Sequence, residues 1–274
     1  MLHLSEIILN DDHSVYHLHL HPGEISDLII TVGDPGRVEQ VVQHFESIRV
    51  KRQYREFYTI TGTFAGRPMT VISTGIGTDN VDIVLNELDI LTNVLLPERV
   101  PHPFPRSLII CRMGTSGAIR SNYPVGTLLV STSAWGIDGL QTGYDFGNLR
   151  ELAPGVMAYH AIGDERLVEI FTNEGFIPGI TLTASGFYGP QGRSIRIPSK
   201  LSALRSEADF VSDLGLTNIE METAGIYALS RLLGHRAVSL NAILANRITG
   251  EFSSKPEEVV DKMIKKGLQI LSTL

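Results

Sequence analysis

Residues 28–37 read Leu-Ile-Ile-Thr-Val-Gly-Asp-Pro-Gly-Arg. An apolar, β-prone run passes into glycine, an Asp-Pro-Gly turn and an arginine, and from Pro35 to Phe45 the apolar spacing becomes helical. A strand that ends in glycine and restarts as a helix is the unit from which α/β sheets are built. The N-terminus of such a helix exposes unpaired N–H groups and the positive end of a dipole. Gly33 and Arg37 would therefore suit an anion, although a plain turn uses the same Asp-Pro-Gly.

The alternation continues outward from this stretch. Met69 to Ser73 reads as a strand. Thr78 to Leu91 reads as a helix with Val81, Val84, Leu85, Leu88 and Leu91 on one face. Leu108 to Cys111 and Leu128 to Thr132 are short buried strands, and Leu182 and Ala184 close another. Glu222 to Leu233 reads as a helix stopped by Gly234, and Ala237 to Ala245 as a strand. The last helix is expected to open on Ser254 and Glu257 as a capping box. Tyr54 to Thr63 and Met69 to Ser73, joined by Ala65-Gly66-Arg67-Pro68, form a hairpin, so the sheet is mixed. The expectation is one α/β domain over residues 1–274, with a central mixed sheet flanked by helices. Leu95 to Arg106 carries four prolines and reads as a lengthened surface loop without regular structure.

Composition narrows the function. With 43% hydrophobic and 19% charged residues the chain has the balance of a globular enzyme. A net charge of −7 argues against a nucleic-acid surface and makes any cluster of arginines a local site. No apolar run is long enough for a membrane span. Cys111 is the single cysteine, and Met1 to Asp12 is acidic and polar where a signal peptide would be basic and then apolar. Both features point to the cytoplasm.

Three further constellations carry chemistry. Arg112-Met113-Gly114-Thr115-Ser116-Gly117 follows the strand ending at Cys111, where α/β sheets bind ligands, and makes a second anion cradle. Phe187-Tyr188-Gly189-Pro190-Gln191-Gly192-Arg193 sets an aromatic beside a side-chain amide and a rigid donor fork. That combination suits a planar heterocycle with carbonyl and N–H edges, though Gly-Pro alone would make a surface turn. Glu220-Met221-Glu222 opens a helix. Its carboxylates either cap that helix or bind a sugar diol, with Met221 packed under the ring. His17, His19 and His21 would share one face of an extended segment, as metal ligands do, but no further ligands have the right spacing. No metal is expected. The GxSxG elbow, the P-loop and the dinucleotide fingerprint are absent.

The ordered set GDPGRV, YREF, STGIG, RMGTSGAI, FYGPQGR, EMETAG and LANR resembles the nucleoside phosphorylase family, which includes uridine phosphorylases and hexameric purine nucleoside phosphorylases. The likeness runs from His17 to the last helix. It implies one α/β domain with a barrel-like mixed sheet. It also implies dimers with shared active sites, stacked into hexamers. Phosphate would be held by Gly33, Arg37, Arg112 and Thr115, with Arg55 of YREF entering from the neighbouring subunit. Ribose would be held by Met221 and Glu222, with the neighbour's His17 at the 5′-hydroxyl. Phe187, Gln191 and Arg193 would hold the base, supported by Arg247, with Arg112, Gln191, Arg193 and Glu222 as the catalytic set. Purine-cleaving relatives carry an acid where this chain has Ala245-Asn246-Arg247, whereas uridine-cleaving ones carry the Gln and Arg found here. The expected reaction is cleavage of uridine by inorganic phosphate into uracil and ribose 1-phosphate. The alternatives are a purine phosphorylase, a hydrolytic nucleosidase and a nucleoside-binding protein without catalysis. No cofactor is expected. Some relatives bind potassium near the glutamate of REF, here Glu56, and that ion is an open expectation because Thr78-Asp79-Asn80 replaces the usual Gly-Pro-Ser.

Overall fold

The computed structural model describes residues 3–96, 98–205 and 209–274. β1 (Leu28–Val32) leads into α1 (Pro35–Val42), and β2 (Ser47–Tyr54), β3 (Phe57–Phe64) and β4 (Arg67–Ser73) form a meander. α2 (Thr78–Asn93) precedes a small strand pair, β5 (Val94–Leu95) and β6 (Val100–Pro101). β7 (Ile109–Ala118) and β8 (Leu128–Gly136) follow, then the hairpin of β9 (Arg150–Ala153) and β10 (Val156–Ile162). α3 (Glu165–Asn173), β11 (Ile177–Thr183), α4 (Asp209–Asp213) and β12 (Leu216–Glu220) come next. α5 (Thr223–Leu233), β13 (Arg236–Asn246), β14 (Glu251–Phe252) and α6 (Pro256–Leu271) complete the order.

β13, β8, β11, β12 and β7 pair in sequence, and a β13–β7 ladder closes them into a barrel. The sheet leaves the barrel through β7 and runs on to β1, β4, β3 and β2. Parallel and antiparallel ladders are both present, so the mixed sheet with a barrel core is as expected.

The ligand-sized opening follows from how β7 changes partners. Along one edge its first half pairs with β1, up to Thr31 opposite Arg112. Its far end pairs antiparallel with β12, through Ile219 opposite Gly117 and Asn218 opposite Ala118. Residues 113–116 lie between the two ladders. The carboxyl ends of β1 and β12 approach this gap from opposite sides, which is where open α/β sheets leave a crevice.

Two of the buried clusters fix the helices that flank the sheet. Cys111, Met113, Val130 and Leu240 meet Met263, Ile264 and Leu268 of α6. Val81, Leu85 and Leu88 of α2 meet Ile226 and Leu229 of α5. Each such side chain contributes roughly 1.5–3 kcal/mol by leaving water. α2 and α5 are thereby fixed against the barrel, and the loops before their first turns are held beside the gap.

Several expectations need correction. The strand expected to stop at Cys111 continues to Ala118, so Arg112 to Gly117 lie within β7 rather than after it. The ladder to β13 accompanies β7 along its length and overrides the glycines. The Ser254/Glu257 capping box does not form. α6 starts at Pro256 with Lys255 as its N-cap and no side-chain cap bond, because proline fixes the first helical residue one position later. The proline-rich segment is not wholly irregular, since Val94–Leu95 pairs with Val100–Pro101, while Pro97 lies outside the described residues. Glu222 is the N-cap of α5, not its first residue. The histidine alternation is broken at His19, whose φ is +52°. His17 pairs with Glu87 and His19 stacks on Tyr54. Among the described residues no group of histidine, cysteine or carboxylate side chains is placed to hold a metal, and no helix is long and apolar enough to cross a membrane.

Candidate active site

The gap beside β7 opens into a cavity of about 880 Å³. Gly33, Arg37, Arg112, Thr115, Phe187, Gln191, Arg193, Met221 and Glu222 all line it. Segments far apart in sequence thus meet at one place.

Arg112 is buried at the centre. Its Nη2 lies 2.9 Å from Glu220 Oε2 and 2.7 Å from Glu222 Oε2, and Nη1 donates to Asn241 Oδ1 at 3.1 Å. Burial works against its charge, but the two carboxylates more than offset this and hold its pKa above the ordinary value. Gly114 makes the arrangement fit. A Cβ there would stand 2.1 Å from Arg112 Nη1, so the side chain folds back over its own strand only because residue 114 has none.

Glu220 organises the same corner. It accepts from the Thr183 hydroxyl at 2.6 Å, the Glu222 N–H at 2.9 Å and the Thr223 N–H at 3.0 Å. It thereby ties β11, the end of β12 and the start of α5 to Arg112. Glu222 accepts from the Gly77 N–H at 2.8 Å through Oε1. Burial pushes its carboxyl above the usual range, against the pull of Arg112.

Arg37 differs from Arg112. It lines the cavity without an ion pair to any described residue, and burial followed by repulsion from Arg112 lowers its pKa. Its charge is left facing the cavity. Asp34, beside it, is engaged as the N-cap of α1 through the Gly36 N–H at 2.9 Å.

At the opposite side, the Arg193 guanidinium lies 3.8 Å from the Phe187 ring centroid. It donates to Phe187 O at 2.5 Å and to Gln191 Oε1 at 2.7 Å. Gln191 is buried and its Nε2 donates to Glu220 O at 3.4 Å. Gly192 between them has φ +74°, and a Cβ there would meet Leu201 O at 2.3 Å. Glycine is therefore what lets two neighbouring polar side chains converge.

Three expected site residues stand elsewhere in this single chain. Arg55 sits in the β2–β3 turn with φ +54°, its guanidinium near the rings of Tyr54 and Tyr16. His17 adjoins Tyr16 edge-on at 4.9 Å. Neither lines the cavity, whereas Glu56, next to Arg55, does. Arg247 packs its stem against Gly117 behind the wall. No sequence motif points to Asn241, to the Gly77 N–H or to Phe252 at the cavity edge, because these depend on strand register. Asn80 was marked only as a departure, and it lines the cavity beside Glu56.

Asn246 has a different occupation. Its Nδ2 donates to the carbonyls of Arg120 and Tyr123, both at 2.9 Å, and its Oδ1 accepts from the N–H groups of Ile248 and Thr249, both at 3.0 Å. It is buried and does not line the cavity.

The profile of the phosphorylase superfamily matches residues 27–274. The chain belongs to this family. It is 28% identical over 263 residues to a uridine phosphorylase of Thermococcus kodakarensis, covering 94% of this chain and 86% of that one. It is equally 28% identical over 262 residues to a purine nucleoside phosphorylase of the DeoD type from Myxococcus xanthus, covering 93% and 95%. A crystal structure of a Trypanosoma brucei nucleoside phosphorylase, described as showing uridine phosphorylase activity, superposes with a TM-score of 0.85 at 28% identity, covering 98% of this chain and 100% of that one. The chain is accordingly an enzyme of the pentosyltransferase class whose family acts on nucleosides and phosphate.

Proposed function

We propose that this phosphorylase cleaves uridine, exchanging its base for phosphate at C1′. The observation that carries the base assignment is the paired Gln191 and Arg193 at one wall. An amide and a guanidinium can match the N–H and carbonyl edges of uracil.

In this reading phosphate sits by Gly33, Arg37 and Thr115, with Arg112 behind. Glu222, held by Arg112 and by the Gly77 N–H, receives the ribose hydroxyls above Met221. Bond breaking leaves positive charge on the sugar and negative charge on the base. Phosphate faces the first and Arg193 with Gln191 the second, so acceleration comes from position and preset charge. The nucleophile is phosphate itself, and no cofactor is called for. Arg55 and His17 act from a second copy of the chain, with His17 at the 5′-hydroxyl. Their shared surface around Tyr16, outside the cavity, supports this placement.

The test is base release from uridine and from inosine, each with and without phosphate. Uridine should be cleaved only with phosphate, and inosine much more slowly. Faster turnover of inosine would refute the base assignment, and release without phosphate would make the enzyme a hydrolase.

A further inference from the structure

Glu87 lies in the middle of α2, with a side chain only 10% exposed. Its carboxylate collects three donors from one stretch of chain. The His17 N–H lies 3.0 Å from Oε1 and 3.1 Å from Oε2. The Leu18 N–H donates to Oε2 at 2.9 Å. His17 Nδ1 stands 2.6 Å from Oε1. Anchoring the N-terminal segment would need only the two backbone contacts. The third acts on the imidazole.

We propose that Glu87 is a positioning residue for the enzyme's own reaction: it fixes the His17 ring so that Nε2 faces the 5′-hydroxyl of a nucleoside bound in the neighbouring subunit. This rests on the reading that His17 serves a second subunit's site. An ionised carboxylate only accepts, so Nδ1 carries the proton, and the neutral ring is left with Nε2 as an acceptor. No described residue hydrogen-bonds to Nε2. The ring is also wedged edge-on between Tyr16 at 4.9 Å and Phe57 at 6.4 Å, so tautomer and orientation are set together. A hydroxyl donor then meets a preset acceptor and loses no binding energy to ring rotation.

α2 thereby serves two sites. The Gly77 N–H, just before its first residue, holds Glu222 of the chain's own cavity. Glu87, ten residues on and about 15 Å along the axis at roughly 1.5 Å per residue, holds the histidine offered to the neighbour.

The experiment is a cycle of two variants and two substrates. Glu87→Gln and His17→Ala, singly and together, are assayed on uridine and on 5′-deoxyuridine with phosphate. Glu87→Gln should raise KM for uridine about tenfold with kcat little changed, the scale of one hydrogen bond's contribution to binding. Activity on 5′-deoxyuridine should not move, and the double variant should add nothing to His17→Ala. Equal losses on both substrates would make Glu87 merely structural and overturn the proposal. So would a preference for the 5′-hydroxyl that His17→Ala removes and Glu87→Gln retains, with the shared-site reading left standing. If His17→Ala itself leaves the preference intact, the assignment of His17 falls and the proposal with it. If the enzyme cleaves inosine instead of uridine, only the base assignment fails, and the same cycle on inosine and 5′-deoxyinosine decides Glu87. Imidazole nitrogen NMR of the unmodified protein gives a readout free of folding effects. His17 should be the Nδ1–H tautomer, and an Nε2–H signal would overturn the proposal.

Discussion

The cavity wall around Arg112 and the rim around Arg55 both present arginine, glutamate and aromatic groups, yet they are built in opposite ways. At the wall, Arg112, Glu220 and Glu222 are buried and mutually bonded, and each contact comes from a different strand or helix. At the rim, Arg55 is exposed, its backbone is in the left-handed region, and its guanidinium lies near the rings of Tyr54 and Tyr16. The wall is part of the folded core and carries stability as well as chemistry. Arg55 makes little packing of its own, so the fold should tolerate its loss.

The largest effect that could break this contrast is on folding. Arg112→Ala leaves two buried carboxylates facing each other without a cation, and stability should fall by about 3–5 kcal/mol. Arg55→Ala should leave Tm unmoved. Thermal unfolding of the two variants compares them directly, and similar Tm values would erase the distinction between wall and rim.

Arg193 stands between these extremes, being partly exposed and bonded to Gln191 and Phe187. Arg193→Ala should lower kcat/KM for uridine by roughly 2–4 kcal/mol, as for loss of one charge-stabilising donor, with phosphate binding nearly unchanged. Steady-state kinetics with phosphate varied checks both halves. An unaltered kcat/KM would remove Arg193 from the base site.

The smallest signal sharpens the role of the rim. Arg55→Ala and Arg112→Ala chains, each inactive alone, are co-expressed with different tags. Random pairing makes half the dimers mixed, and half of their sites are whole, so activity should recover to about a quarter of the unmodified level. Recovery requires that Arg112→Ala chains still fold when paired, and circular dichroism of the purified mixed species establishes that. Mixed, folded dimers without activity would place Arg55 in its own chain's site or in none.

Much of this was legible in the sequence, for identifiable reasons. Strand β1, the turn at Asp34 and helix α2 depend on local periodicity and capping, and they stand where the pattern put them. The motif residues from Gly33 to Glu222 that were assigned to one chain's site line one cavity. What stayed hidden belongs to register. Gly114 looks like a flexible strand exit until Arg112 is seen folded over it. Glu220 reads as a helix-start carboxylate, yet it ends β12 and gathers donors from two other strands. Glu87 carries no local mark at all, because its partners lie some seventy residues earlier.

Asn246 bears on how the end of β13 is closed. Its amide is fitted to two carbonyls and two N–H groups of the neighbouring backbone. An aspartate there would set a carboxylate against the carbonyls of Arg120 and Tyr123, turning two attractions into two repulsions. The site therefore discriminates between two side chains of nearly identical shape. An Asn246→Asp chain would register this as lost soluble protein. The amide works as a clasp that joins the end of β13 to the segment from Arg120 to Tyr123.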